Sequence, residues 1–148
     1  MIRIQTEDFD IGAEVAALTK GRTDIGALVT FSGLVRNMNE GAPVSTFELE
    51  HYPGMTEKEL ARIEEQAHER WPLQASLIIH RIGKLEPGDN IVLVAAASAH
   101  REAAFEATAF LMDYLKTRAP FWKREGDAWV EARESDETAA KKWQNTAS

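Results

Sequence analysis

The stretch from Lys116 to Arg124 carries four cationic side chains, arranged as two pairs that flank two aromatic residues. Clustered cations disfavour one another's charged form, which enables a lysine to act as an acid, a base or an amine nucleophile near neutral pH. The aromatic residues would anchor the segment and hold the cations in place. This pattern predicts a site for an anionic substrate. The cations are Lys116, Arg118, Lys123 and Arg124, and the aromatic residues are Phe121 and Trp122.

A structural role is the alternative for the first pair. Basic residues near the C-terminus of a helix stabilise it by complementing its dipole. Lys116 and Arg118 lie just before Pro120, which limits a helix predicted there. This explanation serves both residues but leaves the two aromatic residues unexplained, so both interpretations stay open.

Two further basic positions are candidates for binding an anion. Arg36 follows a predicted strand, which gives a loop side chain a rigid support. His100 and Arg101 begin a predicted helix, where free backbone N–H groups and the helix dipole favour an anion and arginine can pair with phosphate. Plain solvation explains either arginine as well, so neither position is decisive alone.

The composition excludes several classes of protein. A formal net charge of −7 argues against a broad nucleic-acid surface, and on such a chain a local basic cluster favours a small anion. The absence of cysteine rules out a thiolate nucleophile, a zinc–thiolate site and a persulfide carrier. The four histidines lack metal-ligand spacing, and neither a glycine-rich phosphate loop nor a serine nucleophile elbow is present. We therefore expect no metal.

The sequence shows no sign of membrane insertion or secretion. It contains no apolar run of about 18 residues. Its first residues lack the charged and apolar regions of a signal peptide. We expect a cytoplasmic protein with no membrane partner.

Hydrophobic patterning predicts one α+β domain in residues 1–133, followed by a polar tail in residues 134–148. The run from Ala27 to Arg36 is apolar on both faces at its start, which is typical of a central strand. Residues 37–43 contain Asn, Gly and Pro and are expected to form a mobile loop. The other predicted strands cover residues 2–5, 44–52, 75–82, 91–97, 121–123 and 128–130.

Three helices are predicted to position the basic residues. Asp10 would cap the first, and Ser98 would cap the third, which Pro120 limits. Thr56 with Glu59 three residues later forms a capping box for the second. We expect this second helix to run to about residue 70. We also expect Met55, which precedes the capping residue, to pack on Leu60, which follows it.

Five segments, in this order, carry a resemblance to a known family. They are Phe31–Asn37 (FSGLVRN), Leu49–Met55 (LEHYPGM), His80–Gly83 (HRIG), Ser98–Arg101 (SAHR) and Met112–Glu125 (MDYLKTRAPFWKRE). Together they resemble the catalytic large subunit of molybdopterin synthases, over residues from about Phe9 to Trp143. The last segment is the most specific.

The resemblance implies a reaction in molybdenum cofactor biosynthesis, in which cyclic pyranopterin monophosphate receives two sulfurs and becomes molybdopterin. In this family the sulfur donor is the thiocarboxylated C-terminal Gly-Gly of a small ubiquitin-like sulfur-carrier subunit. A chain that receives sulfur on a partner's tail needs no cysteine of its own. The resemblance also implies an α/β-hammerhead-like fold, no cofactor, and a homodimer of large subunits within a heterotetramer, whose pocket can draw residues from both copies.

The resemblance assigns roles to matching positions. Lys116 would lie nearest the incoming C-terminus and stabilise or protonate groups there, while Lys123 would act as a second acid–base group or a phosphate ligand. Met38 stands where the family often has a polar residue, which puts only the loop after Arg36 in doubt. The implied substrate-binding set is Leu34, Val35, Arg36, His100, Arg101, Lys116, Lys123, Arg124 and Glu125. Three further positions would line or approach the pocket, namely Phe31, Met112 and Arg133.

Three functions therefore compete. The first is the sulfur-transferring synthase subunit. The second is a non-catalytic module that cradles a phosphate or nucleotide with the same basic residues. The third is an interaction subunit that takes another protein's extended tail by strand addition. In the first, Lys116→Ala should abolish turnover while binding largely survives, and in the second it should weaken binding in proportion to the lost activity. The third predicts no turnover under any condition.

Overall fold

The structure is a computed structural model that describes residues 1–39, 42–43, 47–125, 128–130 and 143, with the backbone alone described for 38–39, 42–43, 47, 122–125 and 128–130. No helix in these ranges is long and apolar enough to cross a membrane. The helices are α1 (Ile11–Thr19), α2 (Met55–Arg70) and α3 (Arg101–Arg118). The strands are β1 (Ile2–Gln5), β2 (Ala27–Leu34), β3 (Met38–Asn39), β4 (Ala42–Pro43), β5 (Phe47–His51), β6 (Leu73–Arg81), β7 (Gly83–Leu85), β8 (Asn90–Ser98), β9 (Phe121–Glu125) and β10 (Ala128–Val130).

The main sheet has four strands in the order β1-β6-β8-β2. β1 runs parallel to β6, and the other two pairs are antiparallel. Successive side chains of a strand point to opposite faces. Leu77 and Ile79 of β6 therefore pack on the α1 side, while Ile78 packs beneath α2 and α3. Helices cover both faces of one mixed sheet, which confirms the predicted α+β single domain.

β2 is an edge strand, and the expectation of a central strand is wrong. Within the described chain its only neighbouring strand is β8. Leu28 packs into the core on the α1 side, but Phe31 is 41% exposed and Leu34 is 54% exposed. Apolar residues on both faces therefore do not reflect burial within one copy of the chain. The strand instead presents them beside the backbone groups of an open sheet edge.

A second sheet, in the order β10-β9-β5-β7, stands against the end of the first. β9 pairs with β5, which places Phe121 opposite His51 and Lys123 opposite Leu49. Leu49 is buried in a small cluster with Val35, which directly follows β2. The two short strands predicted around residues 126–127 are confirmed, and through this pairing they reach the end of the main sheet.

The segment between β2 and α2 departs from the sequence expectation. The expected loop contains a short antiparallel pair, β3 with β4, in which Met38 lies opposite Pro43. Such pairing satisfies backbone groups that an open loop leaves to water. β5 ends at His51, one residue before the predicted end of the strand, and Tyr52 is 49% exposed. Residues 44–46 of the predicted strand lie outside the described residues.

Two helices begin at different residues from those predicted to cap them. Asp10 is the N-cap of α1 as expected and accepts a hydrogen bond from the Ala13 N–H at 3.0 Å. In α3, however, the N-cap is His100, because Ser98 ends β8 and its hydroxyl donates to the Pro72 carbonyl at 2.9 Å. A hydroxyl held by a neighbouring carbonyl in the sheet does not cap the helix that follows.

The start of α2 corrects a second prediction. Gly54, at φ 85°, is the N-cap, and its N–H donates to the Glu57 carboxylate at 3.2 Å. The predicted box of Thr56 with Glu59 is wrong, since Thr56 lies inside the helix. Met55 is 63% exposed and does not pack as expected. Glycine readily adopts a positive φ. The turn at Gly54, and not the spacing of Thr56 and Glu59, therefore determines where α2 begins.

The predicted tail, residues 134–148, lies outside the described residues except for Trp143. The Trp143 indole N–H donates to the Asp113 carboxylate at 2.6 Å. Its ring packs edge-on against Phe110 and Trp71, with centroids 5.7 and 5.8 Å away. Trp143 is thus fixed to the outer side of the α2–α3 pair.

Candidate functional site

Lys116 lies exposed in the last turn of α3, at the point where the chain leaves the helix for the second sheet. Ala119 is the C-cap in an extended conformation, and β9 begins at Phe121 after Pro120. Phe121 packs against the main core cluster and against the small cluster around Val35. The prediction that an aromatic residue anchors the basic stretch is therefore confirmed for Phe121. The side chain of Trp122 lies outside the described residues.

Two histidines flank Phe121. The His80 ring, at the end of β6, stacks on Phe121 with centroids 3.9 Å apart and planes 16° apart. The His51 ring, opposite Phe121 on β5, is 6.2 Å away by centroid. Sequence reasoning missed this pair, because His51 and His80 lie far apart in the chain and neither spacing nor neighbouring residues signals their meeting.

His80 is a buried, neutral imidazole. Its Nδ1–H donates to the Arg81 carbonyl at 2.8 Å, since a carbonyl can only accept, so Nε2 carries the lone pair. The pKa of His80 is lowered from 6.5 to about 4, chiefly by burial and to a smaller extent by the nearby charges of Lys116 and His51, against the raising effect of the hydrogen bond to Arg81. Lys116 is therefore close enough for its charge to act on His80.

Arg36 belongs to the same end of the molecule. It follows Val35, which is buried and whose N–H donates to the Asp89 carbonyl at 2.9 Å. Val35 shares its cluster with Leu49 and contacts the Phe121 side of the second sheet. The buried valine thus fixes the exposed Arg36 near the helix end that carries Lys116.

The backbone of the second basic pair reaches this region through β9. Lys123 lies opposite Leu49, Arg124 opposite Glu48 and Glu125 opposite Phe47. The side chains of Lys123, Arg124 and Glu125 lie outside the described residues, as does Arg133 altogether. Their backbone pairing brings them to the end of the sheet where Val35 and Phe121 meet.

His100 and Arg101 lie elsewhere. They form the N-cap and first residue of α3, whereas Lys116 lies in its last turn. Fifteen helical residues at 1.5 Å each separate Arg101 from Lys116 by about 22 Å. Within one copy of the chain, the structure therefore does not bring these predicted substrate-binding residues together with Lys116.

Three predicted pocket residues lie on β2 and α3, in the direction of Lys116. They are Phe31, Leu34 and Met112. The Thr108 hydroxyl of α3 is 3.4 Å from the Val29 carbonyl of β2. Two residues along the strand and one turn along the helix each advance by about 6 Å. Phe31, two residues after Val29, therefore lies level with Met112, one turn after Thr108. Met112 is nearly buried, while Phe31 and Leu34 are exposed on the open edge.

Arg118 has a different role from Lys116. Its guanidinium lies over the Tyr114 ring, 4.0 Å from the centroid. An arginine in the last turn that covers an aromatic ring stabilises the helix end. The structural interpretation therefore fits Arg118, while Lys116 keeps the position next to His80 and Phe121.

The arrangement has the chemistry of an anion-binding acid–base site. Lys116 and the backbone of Lys123 and Arg124 lie at the end of the molecule where a neutral imidazole stacks on a phenyl ring. Among the described residues, no group of three or more His, Asp or Glu side chains is placed to hold a metal ion. Fold and site together define a class: an α+β domain in which the last turn of the main helix carries an exposed lysine next to a second sheet with further basic residues.

Comparisons with known proteins identify the family. The model of the MoaE protein family matches residues 4–118. A relative from Mesorhizobium japonicum, named molybdopterin synthase catalytic subunit, is 60% identical over 152 residues, covering 99% of this chain and 94% of its own. The chain therefore belongs to the MoaE protein family.

Two solved structures are also similar. Molybdopterin cofactor biosynthesis protein E from Burkholderia multivorans has a TM-score of 0.85 and 49% identity, covering 99% of this chain and 98% of its own. Molybdopterin synthase from Staphylococcus aureus has a TM-score of 0.80 and 33% identity, covering 86% of this chain and 95% of its own. The similarity to both structures therefore extends over most of the chain.

Proposed function

We propose that this chain is the catalytic subunit of a molybdopterin synthase, which converts cyclic pyranopterin monophosphate to molybdopterin in the cytoplasm. Its sulfur comes from the thiocarboxylated C-terminus of a small partner subunit. The observation that carries the proposal is the position of Lys116, in the last turn of α3 just before β9, whose pairing with β5 brings the backbone of Lys123 to the same end of the molecule. A chain without cysteine must obtain reactive sulfur from elsewhere.

Lys116 and Lys123 are the catalytic residues of this proposal. Lys116 meets the thiocarboxylate and stabilises or protonates groups as sulfur is transferred. Lys123 acts as a second acid–base group or binds the phosphate. An ammonium group in either place attracts both the thiocarboxylate and the phosphorylated pterin, so the two anions can be held close together despite their repulsion.

The substrate pocket is built from two copies of the chain. Arg36 of one copy clamps the phosphate together with Arg124, while His100 and Arg101 come from the other copy of a homodimer. The support for this is geometric, because about 22 Å of helix separates Arg101 from Lys116 in one chain. Free N–H groups at the start of a helix suit the same phosphate.

The small subunit approaches along the open edge of β2. The relative's name, catalytic subunit, implies at least one further subunit in that enzyme. β2 offers unpaired edge groups together with exposed Phe31 and Leu34, which suit an extended peptide tail. Met112 lies one helical turn before Lys116, so a tail that follows this edge ends at the lysine.

A reconstitution experiment tests the proposal. Wild type is mixed with thiocarboxylated small subunit and cyclic pyranopterin monophosphate, and dithiolene product is measured. Wild type is expected to form product, while Lys116→Ala and Lys123→Ala each lose at least about 100-fold in rate, as for loss of a proton-transfer group.

The control for that experiment is Lys20→Ala. Lys20 is an exposed lysine that ends α1, on the opposite face of the main sheet, so its loss changes surface charge equally but leaves the site intact. It should keep wild-type activity. Absence of product with wild type, or full activity of both site variants, overturns the proposal.

A further inference from the structure

Phe121 lies between the two proposed catalytic lysines in the chain and is held in place by its packing. It follows Lys116 by five residues and precedes Lys123 by two. Its N–H donates to the Ala119 carbonyl at 2.9 Å, which closes the turn between α3 and β9. Any shift of the Phe121 ring therefore moves the turn that relates one lysine to the other.

His80 supports Phe121 from the main sheet. It is only 6% exposed, and the hydrogen bond from Nδ1 to the Arg81 carbonyl fixes the orientation of its ring. Because His80 ends β6 and Phe121 begins β9, their stacked rings join the first sheet to the second. Rings held at 3.9 Å leave little freedom for the turn that carries Phe121.

The charge state of His80 suits this position. Burial keeps the imidazole uncharged near neutral pH, so it does not repel the Lys116 ammonium beside it. His51 faces Phe121 from β5, and its Nδ1 lies 3.7 Å from the Glu57 carboxylate. His80, buried and uncharged, and His51 therefore flank Phe121 from two different strands.

We propose that His80 is a positioning residue for sulfur transfer, because its ring, stacked on Phe121, fixes the turn that sets Lys116 relative to Lys123. His80 contacts neither substrate nor sulfur in this proposal, and it acts through Phe121. The inference rests on the proposed catalytic roles of the two lysines. It deepens them by naming what holds the lysines in a productive geometry.

The test compares His80→Ala with His80→Phe in the assembled enzyme. His80→Ala removes the stacked ring and is expected to lower kcat by about 10- to 100-fold, since small misplacements of catalytic groups have effects of this size. KM for the pterin should change by less than about threefold, because the binding residues are untouched. His80→Phe restores an uncharged ring and should return kcat to within about threefold of wild type.

The matched control is His68→Ala. His68 is also hydrogen-bonded, with its Nε2 2.8 Å from the Ser76 hydroxyl, but it lies on α2 away from the turn. Its loss should leave kcat unchanged. A purely structural role for His80 predicts instead that kcat per folded molecule is normal in His80→Ala, and that result overturns the inference. A kcat in His80→Phe as low as in folded His80→Ala also overturns it.

Phe121→Leu covers the case in which His80→Ala does not fold. It removes the other ring of the stack from a half-buried position and should lower kcat as His80→Ala does, again with little change in KM. Full activity of folded Phe121→Leu contradicts the inference. Lys116→Ala is assayed in parallel: if it is fully active, the proposed lysine role fails, whereas if it is inactive and His80→Ala is normal, only the positioning role fails.

Discussion

Lys116 and His80 are neighbours with opposite electrostatic requirements. Lys116 is exposed in the last turn of α3, where the helix dipole favours a cation. His80 is buried, and its hydrogen bond to Arg81 does not offset the cost of charging it there. An uncharged His80 adds no second positive charge near Lys116.

His80 should make the protein less stable in mild acid. Its pKa is about 4 when folded and 6.5 when exposed, so between these values the unfolded chain binds more protons. Stability therefore rises with pH across this window and is lost as pH falls from 6.5 towards 4. Wild type should lose about 2 kcal/mol more than His80→Phe between pH 7 and pH 5, measured by urea unfolding at both values.

The comparison with His80→Phe isolates one group, because every other titrating side chain is common to both proteins. Equal losses for the two proteins between pH 7 and pH 5 would show that His80 is not a buried neutral base. The unfolding slope with urea should stay the same in both, which confirms that one transition is compared.

Single residues were predictable where their chemistry was clustered in the chain. Lys116 and the Phe121 anchor followed from local spacing and helix limits. The two histidines were not predictable, because they come from β5 and β6 and meet only through the pairing of β9 with β5. The distance between Arg101 and Lys116 likewise depends on both residues sharing one straight helix.

At the scale of elements, the start of α2 distinguishes two glutamates. Glu57 accepts a hydrogen bond from the Gly54 N–H. Glu59, which the sequence predicted to form the capping box with Thr56, does not cap the helix. Glu57→Ala should destabilise the protein by about 1 kcal/mol, the usual effect of losing a cap. Urea unfolding at pH 8 measures it.

Glu59→Ala is the control for that prediction. It removes a glutamate two residues further along the same helix and should change stability by less than about 0.5 kcal/mol. The opposite order, with Glu59 the more costly loss, would support the Thr56 capping box and contradict the observed helix start.

Trp143 links the chain beyond β10 to the α2–α3 pair. Trp143→Ala removes its ring from Phe110 and Trp71 and removes one hydrogen bond to the Asp113 carboxylate, which should cost about 3 kcal/mol. Trp143→Phe keeps ring packing and loses only the N–H, so it should cost about 1 kcal/mol. Unfolding free energies of the three proteins decide this, and an unchanged value for Trp143→Ala would contradict the anchor.

The three helices and seven of the strands were predicted, whereas β3, β4 and β7 were not, and the edges and caps were predicted less well. The helices and the two short strands on either side of residues 126–127 followed from periodicity and from turn residues. β2 was misplaced because its residues are apolar on both faces, a property that arises equally from burial inside one chain and from exposure to a partner. The caps of α2 and α3 depended on a positive φ and on a sheet hydrogen bond, neither of which local spacing reveals.

At the scale of the whole molecule, a pocket shared between two copies makes a specific prediction. Lys116→Ala and Arg101→Ala are each expected to be inactive. When the two are mixed and allowed to exchange subunits, each mixed dimer regains one pocket with both wild-type residues. Random exchange should restore about a quarter of the wild-type activity, as the symmetry of a dimer requires.

Mixing Lys116→Ala with Lys123→Ala provides the control. Each pocket takes both of its lysines from the same copy. Every pocket of a mixed dimer therefore lacks one lysine, and no activity should appear. Recovery in this control, or no recovery with Arg101→Ala despite verified exchange, would contradict the assignment of His100 and Arg101 to the second copy.

The most direct measurement of catalysis at Lys116 separates binding from turnover. The affinity of the assembled Lys116→Ala enzyme for cyclic pyranopterin monophosphate is measured by calorimetry, and its single-turnover rate is measured by rapid quench. We predict a rate lowered at least about 100-fold with a Kd within about fivefold of wild type, as expected when a group acts in the transition state. A Kd that rises in proportion to the lost rate would instead identify Lys116 as part of a phosphate cradle and contradict its catalytic role.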